Sequence, residues 1–221
     1  MTLELLQEML PPPLYETELP EGEAMPLFQK VISLPRIHGL KRGEAPPPGG
    51  LIFLLREGLL RIASRRDVTH QVTKYFVKSP QLFGELALMA REKEYDIAEA
   101  LSHCCISVYH APTVKEHMIA QNDLSQYIWN LLAGRFNLIR EQMHSFTETN
   151  LEERILAFLS NYIRQVAREE QHSSHADNFL SYFDIAFHTN ASLPEVKNTL
   201  EQLEKKGKIT YSEKKIILHH V

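Results

Sequence analysis

The sequence predicts an α+β fold in three successive parts: a strand-rich first half, one long helix, and a C-terminal segment of short helices with a hairpin. Three observations predict it. Between Val31 and His110 the apolar residues form short runs parted by turn residues, as in LIFLLREGLLRIAS and CCISVYH, the pattern of short antiparallel strands. Beyond Thr113 the spacing turns helical, and the run from Asn122 to about Phe146 makes one rod of roughly 35 Å at 1.5 Å per residue. Ser181 to Leu218 then reads as helix, corner, helix and two alternating strands.

In the first half, Leu3–Met9 predicts a short amphipathic helix that Pro11–Pro13 ends, and Pro20 and Pro26 keep the following chain extended. Strands are expected in VISLPRI, LIFLLREGLLRIAS, VTHQVTKYFV and CCISVYH, with a corner at Gly39–Gly43 and a rigid exposed loop at APPPGG, 45–50. Such strands imply a β-sandwich or a rolled barrel rather than a parallel sheet. No internal repeat is visible. FGELALM, 83–89, follows a strand and opens a short helix. Its glycine and helix N-terminus are the parts of an anion-binding turn.

Thr113 is a reasonable cap for VKEHMIAQ, and Asn122 or Asp123 for the long run after it. Within that run Leu124, Leu131 and Leu138 recur every seven residues with Ile128 between them, which is the repeat of a two-helix seam. A homodimer is expected there. A neighbouring stripe of Leu132, Ile139, Met143 and Phe146 is free to pack on the chain's own β-domain. The next helix, LEERILAFLSNYIRQVAR, should bury Ile155, Leu156, Phe158, Leu159, Ile163 and Val166, and 169–178 is a polar loop.

The C-terminal stretch is the most explicit. Phe183, Ile185, Ala186 and Phe187 make a short apolar helix ending near His188, and Thr189 with Asn190 forms a tight corner, where asparagine tolerates a left-handed backbone. Ser192 caps a second helix with Pro194 in its first turn and Glu195 three residues on. Val196, Leu200 and Leu203 bury one face of it, and Gly207 closes it. Strands Ile209–Tyr211 and Ile216–Leu218 flank a polar turn at Ser212–Lys215. This is the pattern of a winged helix-turn-helix, whose second helix enters the major groove of DNA. The candidate contacts are Ser181, Tyr182, Ser192, Leu193, Glu195, Lys197, Asn198, Lys208, Lys214 and Lys215. The same pattern also serves as an ordinary packed subdomain.

Composition bounds these readings. The N-terminus has no basic segment before its apolar residues, and Glu4, Gln7 and Glu8 interrupt them, so neither a signal peptide nor a membrane span is expected. The two cysteines, Cys104 and Cys105, are adjacent, which implies no disulfide framework and fits a reducing cytoplasm. Net charge is −4, which argues against a strongly cationic nucleic-acid binder. From Ala191 onward, however, six basic residues face four acidic ones, so any phosphate footprint is local and needs two copies of the domain. No His-x-His with a following Glu and no nucleophile–base constellation stands out, and no enzyme activity or metal site is expected.

FGELALM, the Lys41–Glu44 and Arg56–Gly58 glycine turns, the long helix and the winged helix occur in an order that resembles the Crp/Fnr family of bacterial transcription regulators, over about residues 31–218. The resemblance implies a cyclic-nucleotide-binding-like β-roll sensor at 1–112, a helical linker with a long dimerisation helix at 113–146, and a winged helix-turn-helix at 147–221. It implies a homodimer on double-stranded DNA in the cytoplasm, with RNA polymerase as a further partner. It also places an effector pocket at Gly84, Glu85, Leu86, Tyr95 and Asp96.

That pocket departs from the family's cyclic-AMP pattern. The slot for the phosphate-gripping arginine and its Ser/Thr falls at Tyr95-Asp96, and an aspartate there repels a phosphodiester. The following strand puts Glu99 near the same pocket. Cyclic AMP is therefore not expected, and the effector is unknown. No cysteine precedes Cys104, which excludes a four-cysteine iron–sulfur cluster within one subunit. Haem stays open, since His38, His70, His103 and His110 are available but no spacing singles one out. The cysteine pair reads either as a redox switch or as packing. The recognition helix departs too. Typical members carry S-R-E-x-V-x-R, whereas here Leu193 and Asn198 hold the arginine slots and Pro194 the glutamate slot. Ser192, Lys197 and Asn198 remain able to meet phosphates or base edges, and Leu193 a thymine methyl. The alternative reading is a signalling protein of this fold whose winged helix binds protein.

Overall fold

The computed structural model describes residues 1–26, 50–65, 71–85, 88, 96–145, 150–167 and 174–219. The expected strand VISLPRI, the Gly39–Gly43 corner and residues 45–49 of the loop lie outside the described residues. The chain divides into two compact units, Met1–Gly134 and Arg135–Val221.

The first unit opens with helix α1 (Leu3–Met9), as expected, capped by the Thr2 hydroxyl. Eight strands follow among the described residues: β1 (Tyr15–Leu19), β2 (Ala24–Pro26), β3 (Leu51–Glu57), β4 (Leu59–Arg65), β5 (Gln71–Lys78), β6 (Gln81–Phe83), β7 (Asp96–Ala100) and β8 (Cys104–His110). The chain between the early prolines is thus already sheet, where the sequence suggested only extended chain. Two antiparallel four-stranded sheets result, in the orders β1-β8-β3-β6 and β2-β7-β4-β5. They share one core, with Phe53, Leu55, Phe83 and Ile106 from the first sheet and Leu60, Ile62, Val77 and Ala98 from the second.

The other face of the first sheet is buried as well. Ile52, Leu54, Leu82 and Tyr109 pack with Leu6 and Leu10 of the N-terminal segment and with residues of α2 (Ala111–Ala120) and α3 (Asn122–Ser145). This double burial explains why Leu51–Leu55 is uninterruptedly apolar instead of alternating. Helix α2 starts two residues before its expected cap. His110 is the N-cap, and the Thr113 hydroxyl lies inside the helix, 3.3 Å from His110 Nδ1.

The expected dimer seam is corrected here. Leu124, Ile128 and Leu131 are buried in the core of their own unit, beside the sheet, and are not available to a second chain; Leu138 is half-buried. Of the stripe expected to pack inward, Ile139 and Met143 are 56% and 64% exposed, Leu132 is half-buried and Phe146 lies outside the described residues. Trp129 and Phe136, which are not part of that expected stripe, extend the open face at 60% and 66% exposed. Tyr127 ties the helix to the sheet, since the Leu82 N–H donates to its hydroxyl at 3.3 Å.

The second unit is built on α4 (Leu151–Val166), whose first turn is capped by the Asn150 side chain accepting from the Glu152 N–H at 3.0 Å. Its helices α5 (Tyr182–Thr189) and α6 (Leu193–Lys205) are followed by β10 (Ile209–Tyr211) and β11 (Lys215–Leu218). Within the polar stretch expected to be loop, β9 (His175–Asp177) pairs with β11, making a three-stranded antiparallel sheet in the order β10-β11-β9. Ile155, Leu159, Ile163 and Val166 are buried on α4 as expected, while Leu156 and Phe158 are only half-buried.

Tyr162, on the same face, is 1% exposed. Its hydroxyl donates to the Asp177 carbonyl and accepts from the Phe179 N–H at 2.9 Å, so one side chain satisfies two backbone groups at the β9 end. Tyr162→Phe removes both bonds. A loss of about 1–3 kcal/mol is expected, read as a lower urea midpoint at unchanged slope.

Candidate nucleic-acid interface

The helix-turn-helix is set by two capping boxes in succession. The Ser181 hydroxyl and N–H both donate to Asp184 Oδ2, at 2.7 and 3.0 Å, while the Asp184 N–H donates back to the hydroxyl at 3.1 Å. Ser192 and Glu195 repeat the arrangement at the start of α6, with hydroxyl and N–H donating to Oε2 at 2.7 and 2.8 Å. These bonds hold the Glu195 carboxyl below the usual range. Between the helices Asn190 adopts φ 49°, ψ 51°, the left-handed corner expected of it. From α4 the Arg154 guanidinium fastens this corner, its Nε donating to the Thr189 carbonyl at 3.0 Å.

Helix α6 buries Val196, Thr199, Leu200 and Leu203 and turns Leu193, Pro194, Glu195, Lys197, Asn198 and Glu201 outward. Lys197 Nζ sits over the Tyr182 ring, 5.2 Å from its centroid, and Tyr182 in turn leans on Tyr211 of the wing at 5.7 Å. Gly207 at φ 68° ends the helix beyond its C-cap Lys206. The Tyr211 N–H donates to Glu204 Oε1 at 2.8 Å, which joins the wing to α6. Lys214 and Lys215 are exposed on the hairpin. Lys208 lies 3.9 Å from Glu152, which Lys206 also binds, and the Lys206 bond holds that carboxyl low. Of the ten expected contacts, Ser192 and Glu195 bond each other, Ser181 caps α5, and Lys208 leans on an acid. Tyr182 and Lys197 share one contact that the sequence did not reveal.

In the first unit, Gly84 follows β6 at φ 75°, and a Cβ there would stand 3.0 Å from the Phe53 ring. Phe53 stacks on Phe83 at 5.0 Å. Glu85 is buried, and so is Asp96. Leu86 and Tyr95 lie outside the described residues. Lys74 of β5 reaches across to Asp96 Oδ2 at 2.7 Å. Glu99 does not share the face of Asp96. Alternation along β7 points Asp96, Ala98 and Ala100 inward, and Glu99 pairs with Arg61 of β4 on the other face, Nε to Oε2 2.9 Å.

No family model matches the chain, and no curated protein matches its sequence. Solved structures do. FixK2 from Bradyrhizobium japonicum aligns over 93% of this chain and 92% of its own, with a TM-score of 0.64 at 15% identity. CLP, the c-di-GMP responsive global regulator of Xanthomonas campestris, aligns over 94% of both chains, with a TM-score of 0.68 at 12% identity. A CRP/FNR family transcriptional regulator from Thermus thermophilus covers 93% of this chain and 94% of its own, with a TM-score of 0.65 at 18% identity. The chain has the fold of the Crp/Fnr regulators.

Within the Crp/Fnr fold the cysteine pair lies on β8. Cys104 is fully buried, its thiol donating to the Leu59 and Ser102 carbonyls at 3.4 and 3.2 Å, and burial pushes its pKa up. Burial, and then the charges of Glu57 and Glu18, push Cys105 up as well. A raised thiol pKa means less thiolate at neutral pH and slower attack. Iodoacetamide at pH 7 is expected to label Cys105 more slowly than free cysteine and to reach Cys104 only after unfolding, as followed by mass spectrometry. Of the four histidines available to haem, His38 and His70 lie outside the described residues; His103 is 3.4 Å from Glu18. No helix among the described residues is long and apolar enough to cross a membrane.

Proposed function

We propose that the chain is a Crp/Fnr-type transcription regulator that binds double-stranded DNA as a homodimer, with an effector pocket that lacks the cyclic-AMP phosphate-binding arginine. The observation that carries the reading is α6, capped, braced by α4 and the wing, and exposed along one face in a fold shared with such regulators over nine-tenths of the chain. The stripe of Trp129, Leu132, Phe136, Ile139 and Met143 supports the dimer, because steps of three and four residues are the seam repeat. Two recognition helices then reach half-sites one helical turn apart, about 34 Å. The buried Asp96 carboxylate, paired with Lys74, supports a pocket without cyclic AMP.

A gel shift with DNA upstream of the encoding gene, run with and without cyclic AMP, tests this. Sequence-selective retardation that cyclic AMP leaves unchanged is expected, and it should weaken steeply with salt. Absence of selective retardation at low salt, with the dimer intact, sinks the reading. A specific observation favours a protein-binding winged helix in that event: Tyr182, Phe183, Phe187 and Leu193 are all exposed apolar side chains, and α6 shows Glu195, Glu201 and Glu204 outward. Binding through such a face would be nearly indifferent to salt.

A further inference from the structure

Resting on the DNA-binding reading, we infer that the interface selects half-sites built on A·T pairs, with Leu193 against a thymine methyl and Asn198 on an adenine edge. Guanine is most often read by a bidentate arginine on O6 and N7. From Ser181 to the last residue the chain contains no arginine, so neither α6 nor the wing can make that contact. Lysine is the next guanine reader, and the single lysine on the outward N-terminal half of α6, Lys197, is held over the Tyr182 ring. Cytosine is read by a carboxylate accepting from N4. Glu195 is the acid nearest the helix start, and both Ser192 bonds draw its carboxylate back against the N-terminus.

Three outward side chains remain near the leading end of α6, Leu193, Pro194 and Asn198, and the proline brings no hydrogen-bonding group to a base edge. Leu193 is 40% exposed although it is a large aliphatic group at the first helical position. Asn198 is exposed five residues later. At 3.6 residues per turn they stand roughly 140° apart, on the two flanks of the outward arc, where they address different base pairs. An aliphatic side chain has one specific partner in the major groove, the C5-methyl of thymine, and asparagine pairs bidentately with adenine N6 and N7.

The test is selection of the full-length protein on a randomised duplex library at ~0.1 M salt, followed by sequencing. Inverted half-sites with A·T pairs at two contacted positions are expected. Asn198→Ala should erase the adenine preference at one position, about a 10-fold loss of discrimination there. At the other, replacing thymine by deoxyuridine removes only the methyl group. It should weaken the natural protein several-fold and leave Leu193→Ala unaffected. Leu193→Arg should shift that position toward G·C. Both residues are exposed, and an unchanged melt and dimer mass establish that the variants fold. An enriched half-site with G·C at the positions Asn198 and Leu193 govern overturns the inference while DNA binding stands. A library with no enrichment overturns the DNA-binding reading, and the inference falls with it.

Discussion

Phe136→Glu is expected to turn the protein from a dimer into a monomer and to lower its affinity for a two-half-site operator by about 10²–10⁴-fold. Phe136 is the middle of five apolar residues at seam spacing and is 66% exposed in the single chain. In a parallel seam each helix meets its counterpart at the same level, so the substitution sets two like charges opposite each other in an apolar contact, a cost that an exposed i,i+4 pairing with Arg140 of the same helix does not remove. Once the chains part, each winged helix binds alone and loses the effective concentration that linkage supplies. The fold of the single chain should be untouched, because Leu124, Ile128 and Leu131 hold the first half of the helix in the core of the first unit, while Phe136 is an exposed side chain. Ile119→Glu is the control. Ile119 is 83% exposed on α2, outside the stripe, and should change neither mass nor affinity. Sedimentation equilibrium reads the outcome. A Phe136→Glu protein that remains dimeric at micromolar concentration rules this seam out.

The reversal of the two α3 stripes shows where sequence reading stops. Both stripes are apolar and helically spaced, and spacing alone reports that a face is buried without saying by what. The answer depends on which flank of α3 meets Ile52, Leu54 and Leu82, a long-range fact that no local rule contains. Local rules, by contrast, placed the caps and corner of the helix-turn-helix. Ser192 with Glu195, Asn190 and Gly207 each act within a few residues of themselves, so residue type and spacing suffice. β9 was not legible because its three residues are polar at both ends, and only Ala176 faces the core. The Lys74–Asp96 and Arg61–Glu99 pairs required the registers of β5 and β7 on β4, the strand between them. The face of Glu99 is legible in the sequence, since residues three apart on one strand lie on opposite faces, which turns Glu99 away from Asp96.

Gly58→Ala is expected to cost the first unit about 2–6 kcal/mol, combining ~1–3 of backbone strain with ~1–3 of overpacking. Gly58 carries the chain from β3 in one sheet to β4 in the other at φ 102°, outside the range L side chains adopt comfortably. An added Cβ would stand 2.5 Å from the His103 carbonyl oxygen and 2.6 Å from the Cys104 sulfur. Neither neighbour can retreat easily. The next residue is held from both sides, its N–H donating to the Ser102 hydroxyl at 3.0 Å and its carbonyl accepting from the Leu101 N–H at 2.9 Å. The Gly58 carbonyl itself accepts from the Ser79 N–H at 3.2 Å, so a shift of the turn would break three bonds that tie it to two other segments. At about 3 °C per kcal/mol for a unit of this size, its melting transition should fall by on the order of 10 °C. Gly22→Ala separates the two causes. Gly22 has φ 81° in the same unit, with nothing within 4 Å of its would-be Cβ, so it pays for backbone strain alone. The melting difference between the two variants therefore measures the clash. If Gly58→Ala melts no lower than Gly22→Ala, the contact with His103 and Cys104 is not what requires glycine at this turn.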